Sequence, residues 1–83
     1  MDIENKAIII TGAARGLGAA MAKRLATNKC KLGLIDLEQE SMNVTKEACE
    51  AVGAEVMTYA ADVTHEEDVV STYRQIVADL GPL

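Results

Sequence analysis

Three glycines, Gly12, Gly16 and Gly18, lie in residues 11–18 (TGAARGLG), directly after an apolar, isoleucine-rich run. A helix that begins in such a stretch presents unpaired backbone N–H groups and the positive end of its dipole, which together suit a phosphate. Gly12 would let the chain turn sharply, Gly16 would let backbone N–H groups approach a pyrophosphate, and Gly18 would let the helix lie close to a sheet. The spacing predicts a dinucleotide-phosphate loop; the alternative is a plain tight turn between a strand and a helix.

A carboxylate follows at the end of the next apolar run, where Asp36 stands 18 residues after Gly18. A carboxylate at the end of a second strand can accept both hydroxyls of an adenosine ribose, and it would repel a 2′-phosphate. Asp36 therefore predicts NAD as the cofactor. The alternative interpretation is that Asp36 only caps the helix that follows it.

The elements that must position these groups alternate along the chain. Apolar runs at residues 6–11, 31–36 and 55–60 predict three strands. Three helices are predicted between and after these strands. The first runs from residue 16 to about residue 28, and Gly53 closes the second. The third begins at a capping box at residues 64–67 (THEE) and ends at Gly81 and Pro82. The predicted apolar faces are Leu17, Ala20, Met21 and Leu25 on the first helix, Met42, Thr45, Cys49 and Val52 on the second, and Val69, Val70, Tyr73, Ile76, Val77 and Leu80 on the third.

This β-α-β-α-β-α order predicts the α/β class. Strands joined through crossover helices run parallel, and the crossovers are right-handed. The run Ile8-Ile9-Ile10 has no polar alternation, which is typical of a strand covered on both faces. We expect a doubly wound parallel sheet of the Rossmann type, with residues 1–83 forming the N-terminal part of one domain without an internal boundary.

Composition excludes several classes of function. The chain has 83 residues, a formal net charge of −5 and a pI near 4.7, which argues against nucleic acid and gives no support to an anionic membrane surface. No apolar run approaches the length of a membrane span. Cys30 and Cys49 are the only cysteines and form neither a disulfide framework nor a zinc motif. These features predict a soluble cytoplasmic protein without a metal site.

The loop at residues 11–18 resembles the cofactor fingerprint of the short-chain dehydrogenase/reductase family, and Asp62-Val63 matches an Asp and apolar pair that the family has after its third strand. The resemblance implies that Asp62 meets the adenine amino group and that Val63 lies against the ring. The rest of the sequence is similar to that of bacterial 3-oxoacyl-(acyl-carrier-protein) reductases. The cofactor-binding residues that follow are Gly12, Arg15, Gly16, Leu17, Gly18, Asp36, Leu37, Asp62 and Val63.

The resemblance also implies an activity and an assembly. Members move a hydride between a nicotinamide and a carbonyl or alcohol carbon, so the expected partners are a nicotinamide dinucleotide and a carbonyl substrate that is small or bound to an acyl carrier. The parent is expected to be a homodimer or homotetramer. Two positions depart from the pattern. Arg15, a basic residue before the second glycine, favours NADP in this family, and Lys29 replaces a usual glycine, so Asn28 or Lys29 is expected to adopt a left-handed conformation.

The family's catalytic Tyr with a Lys four residues later is not found. Val63 lies four residues after Tyr59 and Val77 four after Tyr73, so no catalytic residue is predicted here. We expect an N-terminal half whose first strand has one unpaired edge. Two other functions are considered: a non-catalytic nucleotide-binding module, and an S-adenosylmethionine methyltransferase, which usually has an acid where Thr11 stands.

Overall fold

The computed structural model describes residues 3–81, and its elements alternate in the predicted order. The strands are β1 (Ala7–Thr11), β2 (Lys31–Asp36) and β3 (Glu55–Ala60). The helices are α1 (Gly16–Ala26), α2 (Asn43–Ala51), which a short 3₁₀ turn (Glu40–Met42) precedes, and α3 (Glu66–Leu80). The expected end of the third helix at Pro82 lies outside the described residues.

The three strands form one parallel sheet in the order β1-β2-β3. Ile8 pairs with Leu32, and Leu32 pairs with Val56, so the apolar runs of the strands lie side by side. The central strand β2 is buried from Leu32 to Ile35. This architecture confirms the predicted Rossmann-like fold. Within residues 3–81 β1 pairs only with β2, so its other edge is unpaired there.

The two faces of the sheet carry separate clusters of apolar side chains, because successive residues of a strand point to opposite faces. On one face, α1 and α2 pack against alternate residues of the strands, among them Ile10, Leu32 and Leu34. On the other face, α3 buries Ile76 and Leu80 against the intervening residues, which include Ala7, Ile35 and Tyr59. Helices on both faces cover the sheet, as its apolar strands require.

Helix α1 faces the sheet mainly with alanines, and the predicted apolar face is wrong except at Leu25, which is partly buried against the core. Leu17 and Met21 are 78% and 47% exposed, whereas the buried residues are Ala19, Ala22 and Ala26. Small side chains let the helix backbone lie close to the sheet, and this proximity leaves no room for a leucine stripe. The helix ends at Ala26, before the predicted residue 28, because Lys29 adopts the expected left-handed conformation with φ 56°.

The predicted face of α2 is confirmed apart from its last member. Met42, Thr45 and Cys49 are buried, and Val52 is 46% exposed because it lies just beyond the helix. Gly53 follows with φ 104°, a left-handed conformation that suits glycine after a helix.

Helix α3 differs from prediction at its start and on half of its face. Its side of Thr72, Ile76 and Leu80 is buried, while Val69, Val70 and Tyr73 are 43 to 50% exposed. The capping box of residues 64–67 is wrong: His65 is the N-cap and makes no side-chain cap hydrogen bond. The Thr64 hydroxyl instead donates to Asp62 Oδ1 at 2.6 Å, which draws it away from the helix.

In the part of the chain that the structure describes, no helix is long and apolar enough to cross a membrane. The same residues contain no group of His, Cys, Asp and Glu side chains arranged to hold a metal ion. Cys30 and Cys49 are buried free thiols, and burial raises the pKa of both.

Candidate cofactor site

The loop between β1 and α1 depends on its glycines for two different reasons. Gly12 and Gly16 have φ angles of 65° and 61°, in the left-handed region that glycine adopts without steric penalty. Gly18 has no such angle, but a Cβ on it would overlap the carbonyl oxygen of Gly12. The chain thus turns sharply after β1, and the first turn of α1 packs directly on the backbone of the loop.

The middle of this loop is held by groups that lie far away in sequence. The Ala13 N–H donates to the carbonyl oxygen of Ile35 at 3.2 Å, and the Ala14 N–H donates to Asp36 Oδ2 at 3.0 Å. From the opposite side, the buried Thr45 hydroxyl donates to the carbonyl oxygen of Ala13 at 2.9 Å. The end of β2 and the start of α2 therefore fix the loop's shape before any ligand binds.

Asp36 joins the end of β2 to the glycine loop. Its Oδ1 accepts the Leu37 N–H at 2.8 Å, while Oδ2 accepts the Ala14 N–H. The next helical turn begins only at Glu40 and has no side-chain cap bond, so the alternative of a simple helix cap for Asp36 is not what the structure shows. Each oxygen of an ionised carboxylate has two acceptor positions, and a position on each remains open here.

Two cavities flank the start of α1. One, of about 350 Å³, is lined by Ala14, Arg15, Asp36, Leu37, Glu38 and Ser41. The other, of about 520 Å³, lies along β1 and is lined by Ile9, Ile10, Thr11, Gly12, Arg15, Leu17, Gly18 and Met21. Most of the predicted cofactor residues thus line this pair of cavities. Between them, a side chain on Gly16 would project into open space.

Asp62 and Val63 follow β3 at the same edge of the sheet but do not line those cavities. Asp62 Oδ1 accepts hydrogen bonds from the Thr64 hydroxyl and the Thr64 N–H, at 2.6 and 2.9 Å, and these bonds hold the pKa of Asp62 below its usual range. Val63, 52% exposed, lines a separate apolar cavity of about 330 Å³ beside α3. The Asp62 carboxylate is directed toward its own loop.

The two tyrosines lie in different surroundings. Tyr59 is buried, and its hydroxyl donates to Asp79 Oδ2 at 2.8 Å. Burial, followed by the Asp79 carboxylate, raises the pKa of Tyr59 far above its ordinary value, so the phenol stays protonated. Tyr73 is half exposed on α3. That no catalytic residue lies in this chain stays a prediction.

Three residues of this region were not predicted. Glu38 and Ser41 line the cavity beside Asp36, and Thr45 holds the loop from beneath. Glu38 and Ser41 carry no sequence signal, since the turn before α2 has no fixed pattern. Thr45 does carry a sequence signal, because a hydroxyl inside a buried helical stripe needs a hydrogen-bond partner. The sequence does not say which group that partner is.

The sequence that forms these elements is similar to that of known proteins. The family model for short chain dehydrogenases matches residues 6–83. The chain belongs to the short-chain dehydrogenase family. Estradiol 17-beta-dehydrogenase 11 of Macaca fascicularis is 32% identical over 80 residues, which are 96% of this chain and 27% of that protein.

Two solved structures show the same arrangement of elements. NAD⁺-bound xylitol dehydrogenase superposes with a TM-score of 0.93 and 31% identity, over 100% of this chain and 32% of that one. A metagenomic short-chain oxidoreductase in complex with NADP superposes with a TM-score of 0.90 and 25% sequence identity, over 98% of this chain and 37% of that one. The chain therefore spans about a third of the length of these relatives.

Proposed function

We propose that these residues are the cofactor-binding part of a nicotinamide-dependent oxidoreductase. One observation carries the proposal: the start of α1, with its left-handed Gly16, lies beside a carboxylate that ends β2 and is bonded to the same loop. The first N–H groups of a helix have no partner within the helix, and together with the helix dipole they attract a phosphate. A side chain on Gly16 would enter the space that a pyrophosphate needs.

The site favours NAD over NADP. The open acceptor positions of Asp36 suit ribose hydroxyls, whereas its negative charge opposes a 2′-phosphate at the same place. Glu38 in the same cavity adds to that opposition. Arg15 is the counter-argument, but its side chain is exposed and bonded to no acid among the described residues, so solvent weakens its attraction for a phosphate. Asp62 and Val63 are proposed to contact the adenine, and Leu17 and Leu37 to border the cofactor.

The bound dinucleotide supplies the hydride chemistry, and the residues of this chain bind and orient it. The acid–base group that protonates or deprotonates the substrate oxygen is proposed to belong to the complete protein outside residues 1–83, since neither Tyr59 nor Tyr73 suits that role. We propose a ketone or alcohol substrate, with 3-oxoacyl groups on an acyl carrier protein as the specific candidate, acted on by a cytoplasmic homodimer or homotetramer. Residues 1–83 would then form part of a single dinucleotide-binding domain.

The test uses the protein expressed from its complete reading frame. We expect kcat/KM to be higher with NAD than with NADP, and Asp36→Ala to narrow that difference by about 1–3 kcal/mol, the range for a hydrogen bond to a charged group. Glu38→Gln is the comparison variant: it removes the second negative charge of the cavity but leaves the carboxylate at the strand end, so it should narrow the difference less than Asp36→Ala. Equal values, or NADP ahead, would refute the NAD assignment. Binding without turnover of any carbonyl substrate would instead identify a nucleotide-binding module.

A further inference from the structure

The buried hydroxyl of Thr45 has no part in the proposed contacts with the cofactor. Thr45 lies on α2 and is 1% exposed. Its Oγ1 donates to the carbonyl oxygen of Ala13 at 2.9 Å and also lies 3.4 Å from that of Ala14, residues 32 and 31 positions away. One hydroxyl thus joins the second helix to two consecutive peptide groups of the glycine loop.

These contacts complete the hydrogen bonding of the loop's centre. The N–H groups of Ala13 and Ala14 are bonded to Ile35 and Asp36 at the end of β2, and the single proton of the Thr45 hydroxyl is donated mainly to the Ala13 carbonyl oxygen, with that of Ala14 as a more distant second acceptor. Each of the four backbone polar groups of the two alanines is therefore in contact with another element. The first N–H groups of α1, which follow directly, have no partner within the helix.

Ala13 and Ala14 lie between the left-handed Gly12 and Arg15, the N-cap of α1. Their orientation consequently sets the direction in which the first N–H groups of α1 point. A loop of small residues without this restraint would sample more conformations, and ordering it on binding would lower affinity. We propose that Thr45 is a positioning residue for dinucleotide binding, which holds the glycine loop in its phosphate-binding shape through the Ala13 and Ala14 carbonyl groups.

This inference rests on the proposed function, and two kinds of measurement separate them. The first needs no cofactor: amide hydrogen exchange of residues 12–18 in the complete protein. Thr45→Val keeps the shape of the side chain but removes the donor, and we expect exchange in this loop to quicken about tenfold, equivalent to ~1.4 kcal/mol. Thr45→Ser, which retains the hydroxyl, should exchange at nearly the original rate. Thr72→Val is the matched control, a buried threonine on α3 at the other face of the sheet.

The second measurement is affinity. With Thr45→Val we expect the Kd and KM for NAD to rise about tenfold, or ~1.4 kcal/mol, while kcat at saturating NAD stays unchanged. Thr45→Ser should restore binding to within about threefold, less than ~1 kcal/mol. Thr72→Val should alter neither constant. If Thr45→Val does not fold, Thr45→Ala takes its place, since it also removes the hydroxyl donor, and the same rise in the Kd and KM for NAD is expected.

Two results would overturn the inference and leave the proposed function intact. Unchanged loop exchange in Thr45→Val would show that the hydroxyl does not hold the loop. A lower melting temperature with faster exchange but an unaltered Kd for NAD would show that Thr45 serves stability alone. By contrast, an unsubstituted protein that binds neither NAD nor NADP contradicts the proposed function itself. Such a protein would also refute a positioning role for Thr45 in dinucleotide binding, even where the exchange result shows that its hydroxyl holds the loop.

Discussion

Two loops at the same edge of the sheet are built in opposite ways. The loop between β1 and α1 turns on two left-handed glycines and is held by Ile35, Asp36 and Thr45, all more than 20 residues away. The loop between β3 and α3 has one distant bond at its start, from the Ala61 N–H to the carbonyl oxygen of Asp36, but from Asp62 onward it is self-contained, because Asp62 bonds to Thr64 and Asp68 within six residues. A loop fixed from outside has its shape set by the whole fold, whereas a self-contained loop can change alone.

The comparison predicts that substitutions in the first loop disturb the whole domain, and Gly18→Ala should disturb it most. The added Cβ meets backbone, the Gly12 carbonyl group, which has no flexible end that could move aside. We expect a loss of about 3 kcal/mol in the free energy of unfolding, at the upper end for overpacking. Denaturant unfolding of the complete protein measures it.

Gly33→Ala is the control for that experiment. Gly33 lies in β2, and the three atoms nearest to a Cβ there would all belong to the Ile76 side chain, the closest at 3.3 Å. A side chain can shift where backbone cannot, so we expect a loss of about 1 kcal/mol, the lower end of the same range. Equal losses at the two glycines would mean that the first loop yields as easily as a side chain, and the contrast between the loops would fail.

Gly16→Val is the second prediction and separates binding from stability. Gly16 has a φ of 61°, a conformation that would strain a β-branched residue by about 2 kcal/mol. An added Cβ would otherwise meet no atom within 4 Å apart from its neighbours in the chain. The new side chain would occupy the space proposed for the pyrophosphate, so NAD affinity should be lost while the circular dichroism spectrum stays native. Calorimetry with NAD measures the affinity.

Gly81→Val is the matched variant for Gly16→Val. Gly81 also has a positive φ, 90°, and open space around its Cβ direction, but it lies at the far end of α3. It should lose a similar amount of stability and bind NAD normally. If Gly16→Val still binds NAD with ordinary affinity, the first loop is not the phosphate site.

The same contrast explains what sequence reasoning could and could not find. The order of elements, the left-handed turn at residues 28–29 and the glycine turn were predictable, because they depend on local residue types. The buried side of α3 was predictable only in part: Ile76 and Leu80 were predicted, but Thr72 was not, and Val69 and Tyr73 were wrongly included because periodicity cannot choose between two parallel stripes. Nor could the partner of the Thr45 hydroxyl be predicted, since it lies 32 residues away on another element.

The capping box of the second loop failed for a related reason. Thr64 and Glu67 have the correct spacing, but the pattern competes with Asp62, whose carboxylate takes both the N–H and the hydroxyl of Thr64. Aspartate two residues before a donor forms such a turn on its own. Two local motifs overlapped here, and the one with an ionised acceptor formed, which agrees with the greater strength of charge-assisted hydrogen bonds.

The smallest expected effect is that of Asp62→Asn, in the self-contained loop. The Thr64 hydroxyl and then the Thr64 N–H lower the pKa of Asp62 in the folded protein below its ordinary 3.8. The folded state therefore binds fewer protons there than the unfolded chain, so this contribution to stability is present above the ordinary pKa and is lost as the pH falls through the lowered value. Between about pH 5 and about pH 2, the melting temperature of Asp62→Asn should fall less than that of the unsubstituted protein.

Thr64→Val, which keeps the backbone bond but loses the hydroxyl, should show a fall in melting temperature between those of the other two proteins. If all three proteins followed one pH course, the carboxylate would contribute nothing to its own loop, and the second loop would depend, like the first, on contacts from elsewhere.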